Sequence, residues 1–353
     1  MKKLRVAAVG LGWVALHRHL PVMKRSADFE VVGVIDRSPG RGREVMSKCG
    51  YLRCAEASDL TRVEWLKDID VITVATAPMS HRSIIRQALE LGKHVLTEKP
   101  FTMTVAEGEE LVRLANAKDL RLAIVHNFQF ARSTKLLLHE IAKGRLGAVR
   151  AVNAVQFGNP RRRLPIWYDE LPLGLMYDES PHLLYLIRAV AGEVHLTRSL
   201  THPSSTGLNT PARVDAYFES PTIPGPITLS CNFESPISEW YLMVFGENRL
   251  GIVDVFRDIY ISLPNDGAHQ TATVFRTSLS AMGQHLWQHL VSGVPHLRGR
   301  LFYGNDEVFG RFAGAIRGRV EELKPIGPES ALAVLRLQHA IIDRQERWSR
   351  RSE

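Results

Sequence analysis

The first 127 residues alternate between short apolar runs and longer segments in which apolar residues recur every three or four positions. The short runs predict buried strands, and the longer segments predict amphipathic helices. The predicted strands cover residues 4–9, 30–35, 51–54, 70–75, 93–97 and 121–126. The predicted helices end near residue 24, cover 58–66, end at 91 and cover 105–118. Repeated strand–helix units indicate a doubly wound parallel sheet with right-handed crossovers.

The pattern changes after residue 127, where short strand-like runs are separated by Gly, Pro, Ser and Asn. A helix over 133–143 leads into a strand over 148–157, and further strands are predicted over 212–218, 227–233, 240–245 and 251–255. Helices near 282–291 and 329–347 complete the pattern. We therefore predict an α/β N-terminal domain over residues 1–127 and an α+β C-terminal domain over 128–353 with a large, mostly antiparallel open sheet.

Composition and charge exclude several classes of protein. The chain has 353 residues, of which 45% are apolar and 23% charged, as in ordinary globular domains. The formal charge of +8 suits acidic small-molecule ligands. Because the basic residues accompany no recognisable binding module, we expect no nucleic-acid partner. No apolar stretch reaches the roughly 18 residues that predict a membrane helix, so we expect no membrane association.

The three cysteines, Cys49, Cys54 and Cys231, follow no disulfide or zinc-site spacing. We therefore expect reduced thiols and a cytoplasmic location. Basic residues precede an apolar run over 6–16, which resembles a short signal peptide. Glycines interrupt this run and no small-residue cleavage site follows it, so a buried strand entering a glycine turn explains it better.

The glycine turn has the sequence pattern of a dinucleotide-binding loop. Gly10, Gly12 and Ala15 fit G-x-G-x-x-A between a predicted strand and a predicted helix. Gly10 permits a tight turn, and Gly12 lets the backbone approach a pyrophosphate. The amides of Trp13 and Val14 lie at the predicted helix N-terminus, where phosphates bind. The pattern alone is weak, but its strand–turn–helix context supports it.

Asp36 ends the second predicted strand, 24 residues after Gly12. A carboxylate near this position accepts hydrogen bonds from the adenosine ribose and repels a 2′-phosphate, which favours NAD over NADP. Arg37 follows directly and can neutralise a 2′-phosphate, so NADP stays open. The alternative is that Asp36 caps the next helix.

Lys99 lies in the turn Thr97-Glu98-Lys99-Pro100, which follows a predicted strand. Pro100 fixes its own φ and disfavours helical angles at Lys99. The turn therefore presents an ammonium group at the carboxyl end of a strand, which is where ligands bind in open α/β sheets. The alternative is an ordinary surface lysine.

Asp178 and His182 are four residues apart and share one face if their segment is helical. Two such residues can be metal ligands, but a site needs a third and usually a fourth, so we expect no metal. A hydrogen-bonded core histidine is the other alternative.

A loop over 158–172 contains Arg161-Arg162-Arg163, Trp167 and Tyr168. It is either a solvated surface loop or the rim of a substrate pocket. Arginine pairs with phosphate or carboxylate, and aromatic rings stack on sugar or base faces.

These motifs together resemble the Gfo/Idh/MocA oxidoreductase family, typified by glucose–fructose oxidoreductase and inositol dehydrogenase. The matching residues are Thr76-Ala77-Pro78, His81, Ala88-Leu89-Glu90-Leu91-Gly92-Lys93-His94-Val95 and Glu98-Lys99-Pro100. The resemblance implies a Rossmann N-terminal domain in which Lys99 reaches both substrate and nicotinamide. It implies cofactor contacts from Thr76, Pro78 and Glu98. His81 starts the following helix and is a further candidate for binding the cofactor. The alternative is that His81 has a purely structural role.

The resemblance continues to residue 182 and, more weakly, to the last helix. The family pattern G-G-x-x-x-D-x-x-x-H is present as Gly174, Asp178 and His182, with Leu173 in place of the first glycine. Many members have an arginine where this chain has Gln129. The resemblance implies that Asp178 and His182 join Lys99 in a catalytic site at the domain junction. We add Asn127, Gln129, Arg163, Trp167 and Tyr168 as candidate substrate-binding residues.

The resulting hypothesis is NAD(P)-dependent hydride transfer at a carbinol or keto carbon of a sugar, polyol or sugar derivative, such as a nucleotide sugar or sugar acid. Two alternatives remain: a non-catalytic protein that binds NAD(P) or a metabolite, and an enzyme that recycles tightly bound NAD without net oxidation. The resemblance also implies a homodimer or homotetramer formed through the C-terminal sheet.

Overall fold

The computed structural model describes residues 2–299 and 301–347 and divides the chain into two units. The first comprises Met1–Asn127 and Gly304–Arg336, and the second comprises Phe128–Tyr303 and Leu337–Glu353. We predicted a C-terminal domain over 128–353, but residues 304–336 belong to the first unit. The cause is long-range packing. The N–H of Ile124 donates to the carbonyl oxygen of Ile326 at 2.8 Å, and the rings of Phe29 and Phe309 pack edge to face.

The first unit contains a six-stranded parallel sheet in the order β3-β2-β1-β4-β5-β6. Its strands are β1 (Leu4–Val9), β2 (Phe29–Asp36), β3 (Arg53–Glu56), β4 (Val71–Val74), β5 (His94–Thr97) and β6 (Leu122–Ile124). The chain order reverses direction between β1 and β4, which is the switch point where ligands bind in such sheets. Central strands β1 and β4 are almost entirely buried, as their continuous apolar runs predict.

Helices connect these strands. They are α1 (Leu20–Arg25), which continues a π-helical turn (Ala15–His19), α2 (Arg41–Cys49), α3 (His81–Glu90) and α4 (Val105–Ala117). The helix predicted over 58–66 was wrong, because two short 3₁₀ segments, Leu60–Arg62 and Glu64–Asp68, replace it. Val63 between them is non-helical, with φ −101° and ψ 88°, and the Asp59 carboxylate accepts the N–H of Thr61 and tightens the first of these turns.

The second unit is built on an eight-stranded sheet in the order β13-β12-β11-β7-β10-β9-β8-β14. Its strands are β7 (Val149–Phe157), β8 (His195–His202), β9 (Arg213–Glu219), β10 (Ile227–Asn232), β11 (Glu239–Gly246), β12 (Arg249–Asp254), β13 (Ile259–Pro264) and β14 (Gln345–Arg347). The β7–β10 and β8–β14 pairs are parallel, and the other pairs are antiparallel. The predicted mostly antiparallel sheet is confirmed.

The remaining helices are α5 (Arg132–Ala142), α6 (Leu175–Ala191), α7 (Thr271–Leu297), α8 (Asn305–Ile316) and α9 (Pro328–Asp343). The sequence pattern did not predict α8, and α7 is far longer than the predicted 282–291. The last predicted helix ends early, because residues 345–347 form strand β14 beside β8. None of the helices in the described part of the chain is both long and apolar enough to span a membrane.

Candidate active site

The glycine turn is shaped by close contact with the chain that follows β4. Gly10 has a φ of 84°, and a Cβ at this position would lie 2.5 Å from Thr76 Cγ2. Any larger residue at position 10 is therefore excluded by both backbone angle and space. Gly12 has nothing within 4 Å of its virtual Cβ, so the outer side of the turn is open. The geometry fits a pyrophosphate lying against the turn at the start of the helix.

Asp36 is bound to the same turn. Its Oδ2 accepts the N–H of Leu11 at 2.7 Å, and its Oδ1 accepts the N–H of Ser38 at 2.8 Å. Arg41 Nη2 donates to the carbonyl oxygen of Leu11 at 3.0 Å, so this side chain also holds the turn. Each carboxylate oxygen keeps capacity for a further hydrogen bond, so Asp36 can hold the turn and also accept a ribose hydroxyl.

The turn that carries Lys99 is anchored by the buried carboxylate of Glu98. His19 Nε2 lies 2.8 Å from Glu98 Oε1, and the N–H of Lys99 donates to Glu98 Oε2 at 3.2 Å. Burial opposes ionisation of Glu98, but the His19 hydrogen bond and the Lys99 charge outweigh it, so the pKa of Glu98 is lowered. An ionised Glu98 thus fixes the backbone of Lys99 at the carboxyl end of β5.

His81 holds the opposite side of this turn. Its Nδ1 lies 2.8 Å from the Pro100 carbonyl oxygen, and its Nε2 lies 3.2 Å from the Thr76 carbonyl oxygen. Burial lowers the pKa of His81, so the ring is neutral and donates its one N–H to one of these two carbonyls. The ring is fully buried and links the two turns that follow β4 and β5. The structural alternative for His81 therefore accounts for its contacts.

In the second unit, His182 is held by Tyr185 one helical turn later. His182 Nδ1 lies 2.8 Å from the Tyr185 hydroxyl oxygen, which also accepts the N–H of Phe128 at 3.0 Å. The rings of Phe128 and Trp240 lie 4.9 and 5.4 Å from the imidazole, centroid to centroid. The result is an oriented, half-buried imidazole with aromatic walls.

Asp178 lies on the first turn of α6, which begins at a strained corner. Leu173 has a φ of 55°, and Gly174 has a φ of 54°. A Cβ on Gly174 would lie 2.0 Å from Thr210 Oγ1, which accepts the N–H of Leu175 at 3.0 Å. Leu173 therefore takes the left-handed conformation that a glycine adopts freely, and the departure from the family motif leaves this corner intact. Pro181 lies inside α6, past its first turn.

The arginine-rich loop is tied to α6 by Arg162. Arg162 Nη2 donates to Glu179 Oε1 at 2.5 Å, and Gln156 Nε2 donates to the other Glu179 oxygen. Arg163 next to it is exposed, while Trp167 and Tyr168 are half-buried. The loop is therefore fastened to the helix that carries Asp178 and His182, which a freely solvated loop would not be.

The predicted site residues fall on both units. On the first unit, Gly10, Pro78, His81, Glu98 and Asn127 are buried, Val14, Asp36, Thr76 and Lys99 are half-buried, and Gly12, Trp13 and Arg37 are exposed. On the second unit, Gln129 and Asp178 are buried, and His182 is half-buried. The Trp13 ring stacks on His17 at 4.8 Å, with the Arg18 guanidinium 5.0 Å from its centroid.

Sequence reasoning missed several supporting residues. Tyr185 follows His182 by three positions, so helical spacing could have identified it. The partners His19 and Glu98 are 79 positions apart, and no local pattern predicts that contact. Arg162 was noticed only as part of a basic run, because its partner Glu179 lies 17 positions further on.

A family model described as an oxidoreductase family with an NAD-binding Rossmann fold matches residues 4–126. The matching model is that of the Gfo/Idh/MocA oxidoreductase family, and it covers the first unit's sheet. This match confirms the resemblance found in the sequence over residues 4–126, and it assigns the glycine turn to an NAD-binding Rossmann fold.

Curated relatives match about half of the chain. A dTDP-3,4-didehydro-2,6-dideoxy-α-D-glucose 3-reductase from Saccharopolyspora spinosa is 33% identical over 159 residues, which is 45% of this chain and 47% of the relative. An uncharacterized oxidoreductase from Schizosaccharomyces pombe is 30% identical over 203 residues, which is 55% of this chain and 53% of the relative. The chain thus spans about half the length of the curated relatives it matches.

Solved structures with the same fold cover nearly the whole chain. A 3-ketoreductase from Actinomadura kijaniata in complex with NADP and TDP-benzene has a TM-score of 0.74 at 17% identity, covering 98% of this chain and 99% of that one. A gentamicin A biosynthesis protein in complex with NAD has a TM-score of 0.74 at 19% identity, covering 96% and 93%. At these identities the likeness shows the fold, and it confirms the predicted architecture of a parallel-sheet unit and a mostly antiparallel-sheet unit.

Proposed function

We propose that this protein transfers a hydride between a nicotinamide cofactor and a carbinol or keto carbon of a sugar, with nucleotide sugars as the preferred substrate class. The observation that carries the proposal is the anchored Lys99 turn. His19, Glu98 and His81 fix its backbone at the edge of an NAD-binding sheet. Such anchoring is expected for a group that must meet a reacting atom within a fraction of an ångström.

The cofactor is bound by the first unit. The glycine turn takes the pyrophosphate, Asp36 accepts from the adenosine ribose, and Thr76 and Pro78 line the path toward the nicotinamide. The bound nicotinamide supplies the redox chemistry, while the protein supplies alignment and electrostatics. The Asp36 carboxylate favours NAD because it repels a 2′-phosphate, and its two backbone hydrogen bonds hold it in place.

Proton transfer is assigned to His182. In the oxidation direction, the substrate hydroxyl loses its proton to His182 Nε2 while its carbon loses a hydride. Nε2 is able to accept this proton when Nδ1 carries the ring hydrogen and donates it to the Tyr185 oxygen. Lys99 donates a hydrogen bond to the same oxygen and stabilises its developing negative charge. Asp178 binds a neighbouring hydroxyl or orients the imidazole.

The nucleotide-sugar assignment rests on chemistry and on relatives. The loop with Arg163, Trp167 and Tyr168 offers a cation for a phosphate and rings for a base or sugar face. The Saccharopolyspora relative is named as a reductase of a dTDP-sugar. The Actinomadura 3-ketoreductase was crystallised with TDP-benzene, which carries a nucleoside diphosphate. Asn127 and Gln129 are further candidates for sugar hydroxyls.

The test combines a substrate panel with a matched pair of variants. Purified protein is incubated with NAD or NADP and a panel of free sugars, sugar acids and nucleotide sugars, and reduced nicotinamide is followed by its absorbance. We expect a nucleotide sugar to reduce the nicotinamide cofactor and Lys99→Met to lose turnover. The control Lys67→Met, at an exposed lysine outside the candidate site, should keep normal turnover. Near-normal turnover of Lys99→Met with cofactor binding intact would contradict the proposal.

A further inference from the structure

Helix α7 displays an apolar surface on its outward side. Most of its large apolar side chains are exposed, and only Ser292 is buried. We call the following residues the α7 stripe: Phe275, Leu279, Met282, Leu286, Leu290, Val294 and Leu297, with Val274 and Trp287 at its margins. The exposed fractions reach 64% at Leu286 and 88% at Leu297. Contiguous apolar surface of this extent marks an interaction site.

The opposite side of α7 is polar and is already used within the second unit. The Gln284 amide pairs with the edge strand β13, since its Oε1 accepts the N–H of Ser262 at 2.8 Å and its Nε2 donates to the Ser262 carbonyl at 3.0 Å. Gln288 accepts from Arg132 Nη1 at 2.5 Å. These bonds fix the rotation of the helix, so the stripe cannot turn inward without breaking them.

The charge pattern decides which kind of partner fits. Arg276 is the one Asp, Glu, Lys or Arg side chain among the 27 residues of α7. A helix that lies on an anionic membrane surface needs a basic polar face, whereas this polar face binds β13. Depletion of charge together with exposed Phe, Trp and Met is the composition of a protein interface core.

We infer that the α7 stripe is covered by the α7 stripe of a second copy of this chain. The stripe residues recur at spacings of four, three, four, four, four and three, which is close to the repeat that lets two helices pack along their length. The same patch then serves both copies, as in a two-fold symmetric pair. This surface differs from the open face of the sheet, where the family resemblance placed the contact.

The available area suits a stable pair. The exposed parts of the nine side chains amount to roughly 900 Å² per copy, given that a fully exposed Phe or Trp presents 150–250 Å². Two copies would then bury about 1,800 Å², within the range of about 1,200–2,000 Å² found for specific interfaces. No additional partner is required to reach that size.

The test is the mass of the full-length chain in solution, measured by light scattering at several concentrations. The variant Leu279→Glu with Leu286→Glu places carboxylates in the stripe. The control Leu52→Glu with Leu208→Glu makes the same change at isolated exposed leucines. We expect the stripe variant to have half the mass of the wild type, and the control to keep the wild-type mass. Circular dichroism checks that both variants are folded.

Several results would overturn the inference. One is a stripe variant that keeps the wild-type mass. Another is a wild-type chain that is monomeric, and this result counts against the inference even if the chain binds phosphatidylglycerol vesicles or another protein. A charge-pairing experiment makes the result independent of folding defects. The Glu variant is mixed with Leu279→Lys and Leu286→Lys, and we expect the mixture to regain the wild-type mass while each variant alone does not. A mixture that stays at the lower mass would contradict α7-to-α7 pairing.

Discussion

The Tyr185 hydroxyl oxygen lies 2.8 Å from His182 Nδ1 and accepts the backbone N–H of Phe128 at 3.0 Å. A single phenol thus ties the candidate base to the backbone at the start of the second unit. This contact orients the imidazole, and Nε2 can accept a proton in the tautomer that carries its hydrogen on Nδ1. Tyr185 acts through His182 and is a positioning residue.

Tyr185→Phe keeps the ring and removes the bond. We expect kcat to fall about fivefold, since a hydrogen bond of this kind contributes on the order of 1 kcal/mol. The KM for the nicotinamide cofactor should stay unchanged, because the cofactor-binding turn belongs to the first unit. Steady-state kinetics with both substrates varied provides the measurement. Tyr217→Phe, at an exposed position of β9, is the control, and equal losses in the two variants would refute the role.

Asp36→Ser tests the cofactor assignment. The change removes a negative charge and weakens the bond to the Leu11 N–H. We expect kcat/KM for NAD to fall at least tenfold relative to that for NADP, because hydrogen bonds to charged groups contribute about 1.5–3 kcal/mol. The ratio of kcat/KM values for NAD and NADP is the readout. An unchanged ratio would mean that Asp36 serves the turn alone.

The stretches that the sequence predicted best are those with strong local patterns. Buried strands such as β1 and β4 were located because both faces are covered and their residues are uniformly apolar. The return of residues 304–336 to the first unit was missed, because contacts such as Ile124 with Ile326 join positions 202 apart in sequence. Motif residues like Gly10 and Lys99 were identifiable. His19, which contacts Glu98, and Arg41, which donates to the Leu11 carbonyl, carry no local signal.

Leu173→Gly tests the strain at the corner before α6. A non-glycine residue in the left-handed region costs about 1–2 kcal/mol, and Leu173 has a φ of 55°. Glycine also increases the conformational entropy of the unfolded chain, which offsets part of the gain. We therefore expect the variant to be more stable than the wild type by up to about 1 kcal/mol. Urea unfolding measures this change. Leu52→Gly is the control, since Leu52 is exposed without a positive φ, and it should lose stability. Equal destabilisation of both variants would show that the corner is unstrained.

Glu98→Gln tests the anchor of the Lys99 turn through its pH dependence. Because the pKa of Glu98 is lowered in the folded state, its ionised form stabilises the fold above about pH 4.5, and this contribution is lost as the pH falls through the lowered pKa. We expect the variant to be less stable than the wild type at neutral pH, with the difference shrinking in acid. Denaturant unfolding across pH is the measurement, with the exposed Glu30→Gln as control. A pH-independent difference would contradict an ionised Glu98.

We proposed above that Lys99 and His182 act on the same substrate oxygen in one chemical step. A double-mutant cycle on kcat tests it directly, using Lys99→Met, His182→Gln and the combined variant with the substrate found in the panel. Residues that act as a unit are strongly non-additive, so we expect the double variant to be no more than a few-fold slower than the slower single variant. Losses that multiply in full would contradict the claim and assign the two residues to separate roles.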